Sequence, residues 1–181
     1  MHVWRADELG ALVRSVLMAP FGDDCNDKEI TVAIEVTPAV LPHLTVDDAA
    51  AAIDFYVRAF NGVELGRVPG PDGKKLIHAA VQINGSTVML NDDFPEMNDG
   101  KSSTPTALGG TPVTIHLVVT DVDTQFQRAV DAGATVVMPV EDQFWGDRYG
   151  MLRDPFGHRW SLGQPVREVT PDEIRQAVGQ H

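Results

Sequence analysis

Hydrophobic and polar positions follow the same order in two parts of the chain. The segment His43-Leu-Thr-Val-Asp-Asp is followed by a run of apolar residues at helical spacing, and His116-Leu-Val-Val-Thr-Asp is followed by a second such run. His43 and His116 are 73 residues apart (116 − 43), as are Asp48 and Asp121 (121 − 48). A strand and a helix that recur at a fixed interval predict two copies of one unit, packed around a shared surface.

Each copy is predicted to contain a strand, a helix and three further strands, which makes the fold class α+β. The first copy begins with a strand over 40–46, and Asn84-Gly85 between two alternating runs is typical of a β-hairpin. The second copy begins with a strand over 113–119. Before its last strand, Asp154-Pro155-Phe156-Gly157 suits a tight turn, because proline presets φ and glycine accepts a positive φ.

This pattern divides the chain into five segments. They are an N-terminal extension, a first βαβββ module, a linker rich in Pro, Gly, Ser, Thr and Asp, a second βαβββ module and a helical tail, at residues 1–36, 37–92, 93–110, 111–166 and 167–181. The extension is predicted to carry an extra amphipathic helix with the apolar residues Leu9, Leu12, Val13, Val16 and Leu17. We expect this helix to pack on the main body or on a second subunit; the alternative is an arm that recruits a partner.

Composition narrows the classes of partner. The 14 Lys and Arg residues against 26 Asp and Glu give a net charge of −12, and no basic stripe interrupts it, so we expect no nucleic-acid partner. No apolar run approaches the roughly 18 residues of a membrane helix, so we expect no membrane partner. Cys25 is the only cysteine, which excludes an internal disulfide and a Cys-rich zinc site and fits a cytoplasmic protein.

Alternation along the strands predicts which side chains face away from the helices. We call that side of the strands the inner face. It collects imidazoles, hydroxyls, amides and a thioether, among them His43, Thr45, His78, Gln82, Thr87, Met89, Thr114, His116, Arg159 and Ser161. Such a mixture is typical of a pocket for a modest organic ligand rather than of a dry core.

Two stretches of the second copy are the most specific in sequence: 144–150, Phe-Trp-Gly-Asp-Arg-Tyr-Gly, and 154–160, Asp-Pro-Phe-Gly-His-Arg-Trp. Together with segments at 44–48, 53–56, 78–79 and 109–113, they resemble the vicinal oxygen chelate superfamily of glyoxalase I, bleomycin-resistance proteins and extradiol dioxygenases, above all its PhnB-like, glyoxalase-like branch. The resemblance covers about residues 38–178. It implies two βαβββ modules that form a curved mixed sheet around a central cleft, commonly completed as a homodimer.

Metal enzymes of this superfamily take one ligand from each of four strands, usually His or Glu. The resemblance places these four positions on Leu41, Met89, Thr114 and Ser161. Leu41 has no donor atom, and a thioether and two hydroxyls are poor ligands for divalent ions. The usual metal site is therefore predicted to be lost, and no cofactor is expected.

The inner-face histidines leave a second hypothesis open. His43 and His116 could act as catalytic groups, with His78, either as displaced ligands of a divalent transition metal or as metal-free acid-base groups. A base could also come from a loop, at Asp147 or Glu141. The alternative is partly buried histidines that bond their neighbours or a ligand.

The segment 144–149 is predicted to be a lid in which Trp145 stacks on a flat ligand and Arg148 pairs with a carboxylate or phosphate. The alternative is a local ion pair of Asp147 with Arg148. The predicted function is a small-molecule binding protein without the usual metal, sequestering an aromatic or polar compound; the alternatives are a lyase, isomerase or oxygenase, and an interaction module. The predicted ligand contacts are His43, His78, Gln82, Met89, His116, Trp145, Arg148 and Ser161.

Overall fold

The structure, a computed structural model, describes residues 40–179. Strands β1 to β4 form one four-stranded sheet in the order β1-β4-β3-β2, with bounds His43–Val46, Val63–Pro69, Leu76–Ile83 and Ser86–Asp92. Strands β5 to β8 form a second sheet in the order β5-β8-β7-β6, with bounds Thr114–Val118, Thr135–Asp142, Asp147–Arg153 and Arg159–Pro165. In each sheet the first strand is parallel to the last, and the other neighbours are antiparallel.

The predicted α+β fold of two βαβββ modules is confirmed. The predicted N-terminal helix lies outside the described residues.

Residues 40–179 also contain four α-helices. Helix α1 (Ala49–Phe60) follows the first strand of the first module, and α2 (Pro105–Leu108) lies between the modules. Helix α3 (Val122–Asp131) follows the first strand of the second module, and α4 (Pro171–Val178) follows the last strand of that module. A 3₁₀ turn at Pro95–Met97 precedes α2. The side chain of Asp48 accepts a hydrogen bond from the backbone N–H of Ala51, and Asp121 accepts one from Thr124. Both acids therefore cap the helices that follow them.

The strand ends differ from the predicted ones for identifiable reasons. β1 and β5 begin later than predicted, and Val40 and Val113, the first residues of the predicted strands, are 99% and 62% exposed. β6 continues past Pro139 to Asp142, with a register shift between Met138 and Glu141. A proline is tolerated there because β6 is an edge strand, where its missing N–H breaks no ladder bond.

The predicted hairpin at Asn84-Gly85 is confirmed. β3 ends at Ile83 and β4 begins at Ser86, and both turn residues have positive φ, 49° at Asn84 and 80° at Gly85. Positive φ at both central residues is the geometry whose twist matches the flanking strands.

The two modules share one hydrophobic core. Helix α1 of the first module contacts α3, and its Phe60 ring lies 4.6 Å from the ring of Trp160 on β8 of the second module. The Tyr56 hydroxyl and the Trp160 indole both donate to Oδ2 of the buried Asp154, at 2.8 and 2.9 Å. Oδ1 of the same carboxylate accepts the backbone N–H groups of Phe156 and His158. Asp154 therefore holds α1 of one module against the last strand of the other.

Two equivalent hydrogen bonds also join the modules. The side-chain amide of Asn84, in the β3–β4 turn, donates to the carbonyl of Val118 at 2.6 Å. The ring Nε2 of His158, in the β7–β8 turn, bonds the carbonyl of Thr45 at 3.1 Å. Thr45 and Val118 are separated by the same 73 residues as the sequence repeat (118 − 45). The repeat in sequence is thus matched by a reciprocal contact between the copies.

Replacement of Asp154 is predicted to destabilise the fold strongly. Asp154→Ala would leave four donors without their acceptor, three of them buried, so we expect a loss of about 3 kcal/mol or more in the free energy of unfolding. Tyr56→Phe removes only one of these bonds and should lower the free energy of unfolding by about 1 kcal/mol. Asp131→Ala, at an exposed carboxylate that bonds only Gln127, is the control and should change it by less than about 0.5 kcal/mol. Urea unfolding measures all three; equal losses in Asp154→Ala and Asp131→Ala would contradict the assigned role.

Candidate functional site

The inner face of the second module carries a polar pair at its centre. His116 on β5 and Ser161 on β8 are register partners, and Nδ1 of His116 lies 2.9 Å from Oγ of Ser161. Ser161 is only 2% exposed, whereas His116 is exposed. The buried hydroxyl therefore orients an imidazole that solvent still reaches.

Gly163 on β8 provides the space for this imidazole. A Cβ at Gly163 would lie 3.0 Å from Cε1 of His116 and 3.6 Å from the ring of Tyr149 on β7. The rings of His116 and Tyr149 are stacked at 6.0 Å with an angle of 25° between their planes. Because no side chain rises from Gly163, the two rings can lie against the sheet.

Two more aromatic rings continue this surface into the turn before β7. Trp145 contacts Tyr149 edge to face at 5.7 Å, and Phe144 contacts Trp145 at 5.0 Å. The indole N–H of Trp145 donates to Oδ2 of Asp147 at 3.1 Å, which fixes the ring. We call His116, Tyr149, Trp145 and Phe144 the aromatic cluster. All four side chains are partly or fully exposed, so the cluster offers flat surface to a ligand.

The inner face of the first module carries a histidine pair instead. The rings of His43 on β1 and His78 on β3 lie edge to face with centroids 6.0 Å apart. Desolvation by burial, followed by repulsion from His43, holds the pKa of His78 below its ordinary value. His78 is therefore neutral at neutral pH. Met89 is the register partner of His43, and Gln82 lies exposed further along β3.

The structure does not bring the three candidate histidines together. His43 and His78 contact each other, whereas the contacts of the His116 ring are with Ser161 and Tyr149 in the other module. Between residues 40 and 179, no group of three or more His, Cys, Asp or Glu side chains is placed to hold a metal ion.

The four positions that the resemblance assigns to metal ligands do not suit a metal here. Leu41 precedes β1 and has no donor atom, and Met89 offers a thioether next to His43. Thr114 begins β5, and the hydroxyl of Ser161 is already bonded to His116. This donor set does not fit a divalent transition metal, which needs three or four nitrogen, oxygen or thiolate ligands.

Arg148, which was predicted to pair with a ligand's carboxylate or phosphate, forms its hydrogen bonds with acidic side chains of the protein. In β7 it has the same orientation as Gly150 and Leu152, whose positions face Phe126 of α3 and the core. Its guanidinium forms two hydrogen bonds to Asp123 on α3, both 2.8 Å, and one to Asp142 on β6 at 3.1 Å. The alternative, an ion pair with Asp147, is also not formed; Asp147 bonds Trp145. Arg148 therefore ties β7 to α3 and β6.

Tyr149 is the site residue that the sequence analysis missed. Gly150 and Leu152 face the helix side, so alternation along β7 places Tyr149 on the inner face beside Gly163. Applying the same alternation to 147–153 in the sequence would have found it. The other predicted contacts on the inner face, His43, His78, Gln82, Met89, His116 and Ser161, lie there but are divided between the two modules.

The repeat of two βαβββ modules is typical of one class of protein. The model of the glyoxalase/bleomycin resistance protein/dioxygenase superfamily matches residues 36–162, and the chain belongs to this superfamily. The resemblance inferred from the sequence motifs is confirmed.

The chain is also similar to individual proteins and to solved structures. The uncharacterized protein Rv0887c of Mycobacterium tuberculosis (strain ATCC 25618 / H37Rv) is 74% identical over 148 residues, which cover 82% of this chain and 86% of that protein. Among solved structures, TioX from Micromonospora sp. ML1 is 31% identical with a TM-score of 0.55, covering 72% of this chain and all of TioX. The PhnB protein from Bacillus cereus shares the fold at 20% identity and a TM-score of 0.55, covering 70% of this chain and 99% of its own. Within residues 40–179, no helix is long and apolar enough to cross a membrane.

The histidine pair generates a prediction for NMR. His78 should titrate below 6.5, its ordinary value. His43→Ala should raise the pKa of His78, since it removes a repelling neighbour and admits water, whereas His116→Ala should leave it unchanged. The His78 imidazole binds a proton more readily in the unfolded chain than in the folded protein, because its pKa is lowered on folding. Its contribution should therefore lower the free energy of unfolding as the pH falls below about 6.5. A pKa of His78 that does not respond to His43→Ala would contradict the pairing.

Proposed function

We propose that this protein binds and sequesters a small molecule with a flat, aromatic ring on the inner face of the second module. The observation that carries the proposal is the aromatic cluster, four rings side by side on a face that the helices leave open. Buried rings stabilise a core, but exposed rings held in fixed orientations are typical of a binding surface.

The polar groups of this surface support a ligand with some polar character. The His116 imidazole is oriented by Ser161, and the Asp147 carboxylate accepts a bond from Trp145. A few fixed polar groups among rings give a pocket its orientation and specificity. Stacking on a ring contributes about 0.5–1.5 kcal/mol beyond the area that it buries. Sequestration requires no catalytic group, which agrees with metal positions that lack suitable donors.

An enzyme remains the second candidate, and a specific observation favours it. His78 has a lowered pKa and is half-buried on the inner face, so it could accept a proton from a substrate at neutral pH. His43 and His116 could assist on either module. In this case a compound incubated with the protein would change in mass with time, as mass spectrometry would show, and His78→Ala or His116→Ala would stop the change. Recovery of every bound compound unaltered would remove this candidate.

The homodimer that the resemblance implies stays a prediction. Exposed apolar residues on strands of both modules, Val63, Val118, Val136 and Val137, are compatible with a subunit interface. Sedimentation equilibrium would distinguish a dimer from a monomer.

The binding proposal is tested with a neutral flat probe, 1-pyrenebutanol, whose fluorescence reports its surroundings. Trp145→Ala and Tyr149→Ala should each weaken its binding about fivefold to tenfold, since each removes one ring-to-ring contact. Phe94→Ala is the matched control, because Phe94 contacts Lys75 and lies outside the cluster. Isothermal titration calorimetry gives the affinities. Equal affinities for the wild type, Trp145→Ala and Tyr149→Ala would contradict the proposed site.

A further inference from the structure

A row of four side chains crosses one end of the second sheet. The register pairs Thr114 on β5 with Arg159 on β8, Arg159 with Arg153 on β7, and Arg153 with Thr135 on β6. Register partners share a face of a sheet, and the neighbours Leu152 and Trp160 are fully buried on the helix side. All four side chains therefore lie on the inner face, with the two arginines between the two threonines.

The two arginines are close neighbours. The backbone N–H of Asp154 donates to the carbonyl of His158 at 3.0 Å, so a backbone hydrogen bond closes the β7–β8 turn one position beyond Arg153 and Arg159. The next pair, Arg153 with Arg159, is then a non-hydrogen-bonded pair, with Cα atoms about 4.5 Å apart and side chains at their closest. Like charges directly opposite each other on adjacent strands destabilise a sheet.

Within residues 40–179, neither Arg153 nor Arg159 forms an ion pair with an acidic side chain. The ion pairs of that part of the chain join Arg67 to Glu64, Arg148 to Asp123 and Asp142, Arg167 to Glu173 and Arg175 to Asp172. The protein has 26 Asp and Glu residues against 14 Lys and Arg. Two adjacent arginines without a carboxylate partner are therefore unusual in a protein with this excess of acidic residues.

We propose that Arg153 and Arg159 form an anion-binding site for the phosphate or carboxylate group of a small ligand. Guanidinium groups present parallel N–H donors that match the oxygens of these groups, and a bound anion would relieve the repulsion between the two charges. Thr114 and Thr135, at the two ends of the row, supply hydroxyl donors for the same oxygens.

The position of this anion-binding site relative to the aromatic cluster indicates the class of ligand. This step rests on the proposed function. Along β8, Arg159 is followed on the inner face by Ser161, beneath His116, and then by Gly163, beside Tyr149. Four residues of strand span about 13 Å. The ligand class that fits is an elongated molecule with an anionic group at one end and a flat ring at the other.

The test compares 1-pyrenebutyrate with its neutral analogue 1-pyrenebutanol by calorimetry, on the wild type and on Arg153→Gln/Arg159→Gln. We expect the wild type to bind the carboxylate about tenfold more tightly or better, because charge-assisted hydrogen bonds are the strong ones. The double variant should lose this preference and keep its affinity for pyrenebutanol. The control Arg67→Gln/Arg175→Gln removes the same charge elsewhere and should keep the preference. A wild type that binds both pyrene compounds equally tightly and binds neither phosphate nor acetate, or a preference for pyrenebutyrate that survives Arg153→Gln/Arg159→Gln, would overturn the proposal.

A second arm separates this proposal from the proposed function. Inorganic phosphate and acetate are titrated separately without any ring compound, which also shows which oxyanion the site prefers. Binding of either one that disappears in Arg153→Gln/Arg159→Gln supports the anion site even if neither pyrene compound binds. If neither ion binds the wild type and pyrenebutyrate has no advantage over pyrenebutanol, the anion site is wrong while the ring site stands. Urea unfolding should show the double variant as stable as the wild type or more so; a clear loss would assign the arginines to the fold instead.

Discussion

The buried carboxylate of Asp154 is the contact on which the arrangement of the two modules depends. Tyr56 and Trp160 are both fully buried, and each carries a polar hydrogen that would be costly to leave without an acceptor. Both hydrogens reach the same carboxylate oxygen, which fixes α1 of one module against β8 of the other. Within residues 40–179, no buried side-chain nitrogen or oxygen lacks a hydrogen-bond partner, so the shared core is apolar except where its polar atoms are paired.

This packing decides where a ligand can bind. The helix side of each sheet is filled by the shared core, which leaves the opposite side to solvent. The modules present different chemistry there although their backbones repeat. His43 lies beside Met89 and His78 in the first module, whereas the equivalent His116 lies over Gly163 among aromatic rings in the second. Duplication thus produced two equivalent scaffolds, and only the second carries a continuous aromatic surface.

Much of this could be predicted from the sequence where the signals are local. The turn at Asn84-Gly85 and the cap at Asp48 depend on residues within a few positions, and alternation gave the faces of β3, β4 and β8. The bonds of Arg148 to Asp123 could not be predicted from the sequence, because this acid on α3 is 25 residues away and reaches Arg148 only in the folded chain. The opposition of Arg153 and Arg159 likewise depends on the β7–β8 register, which the turn sequence alone does not state.

The most direct test of the account is a crystal structure of the protein with 1-pyrenebutyrate. We expect the pyrene ring to lie against Tyr149 and Trp145 on the inner face of the second sheet, with its carboxylate directed along β8 toward Arg159. A ring bound on the helix side, or beside His43 and His78 in the first module, would contradict it.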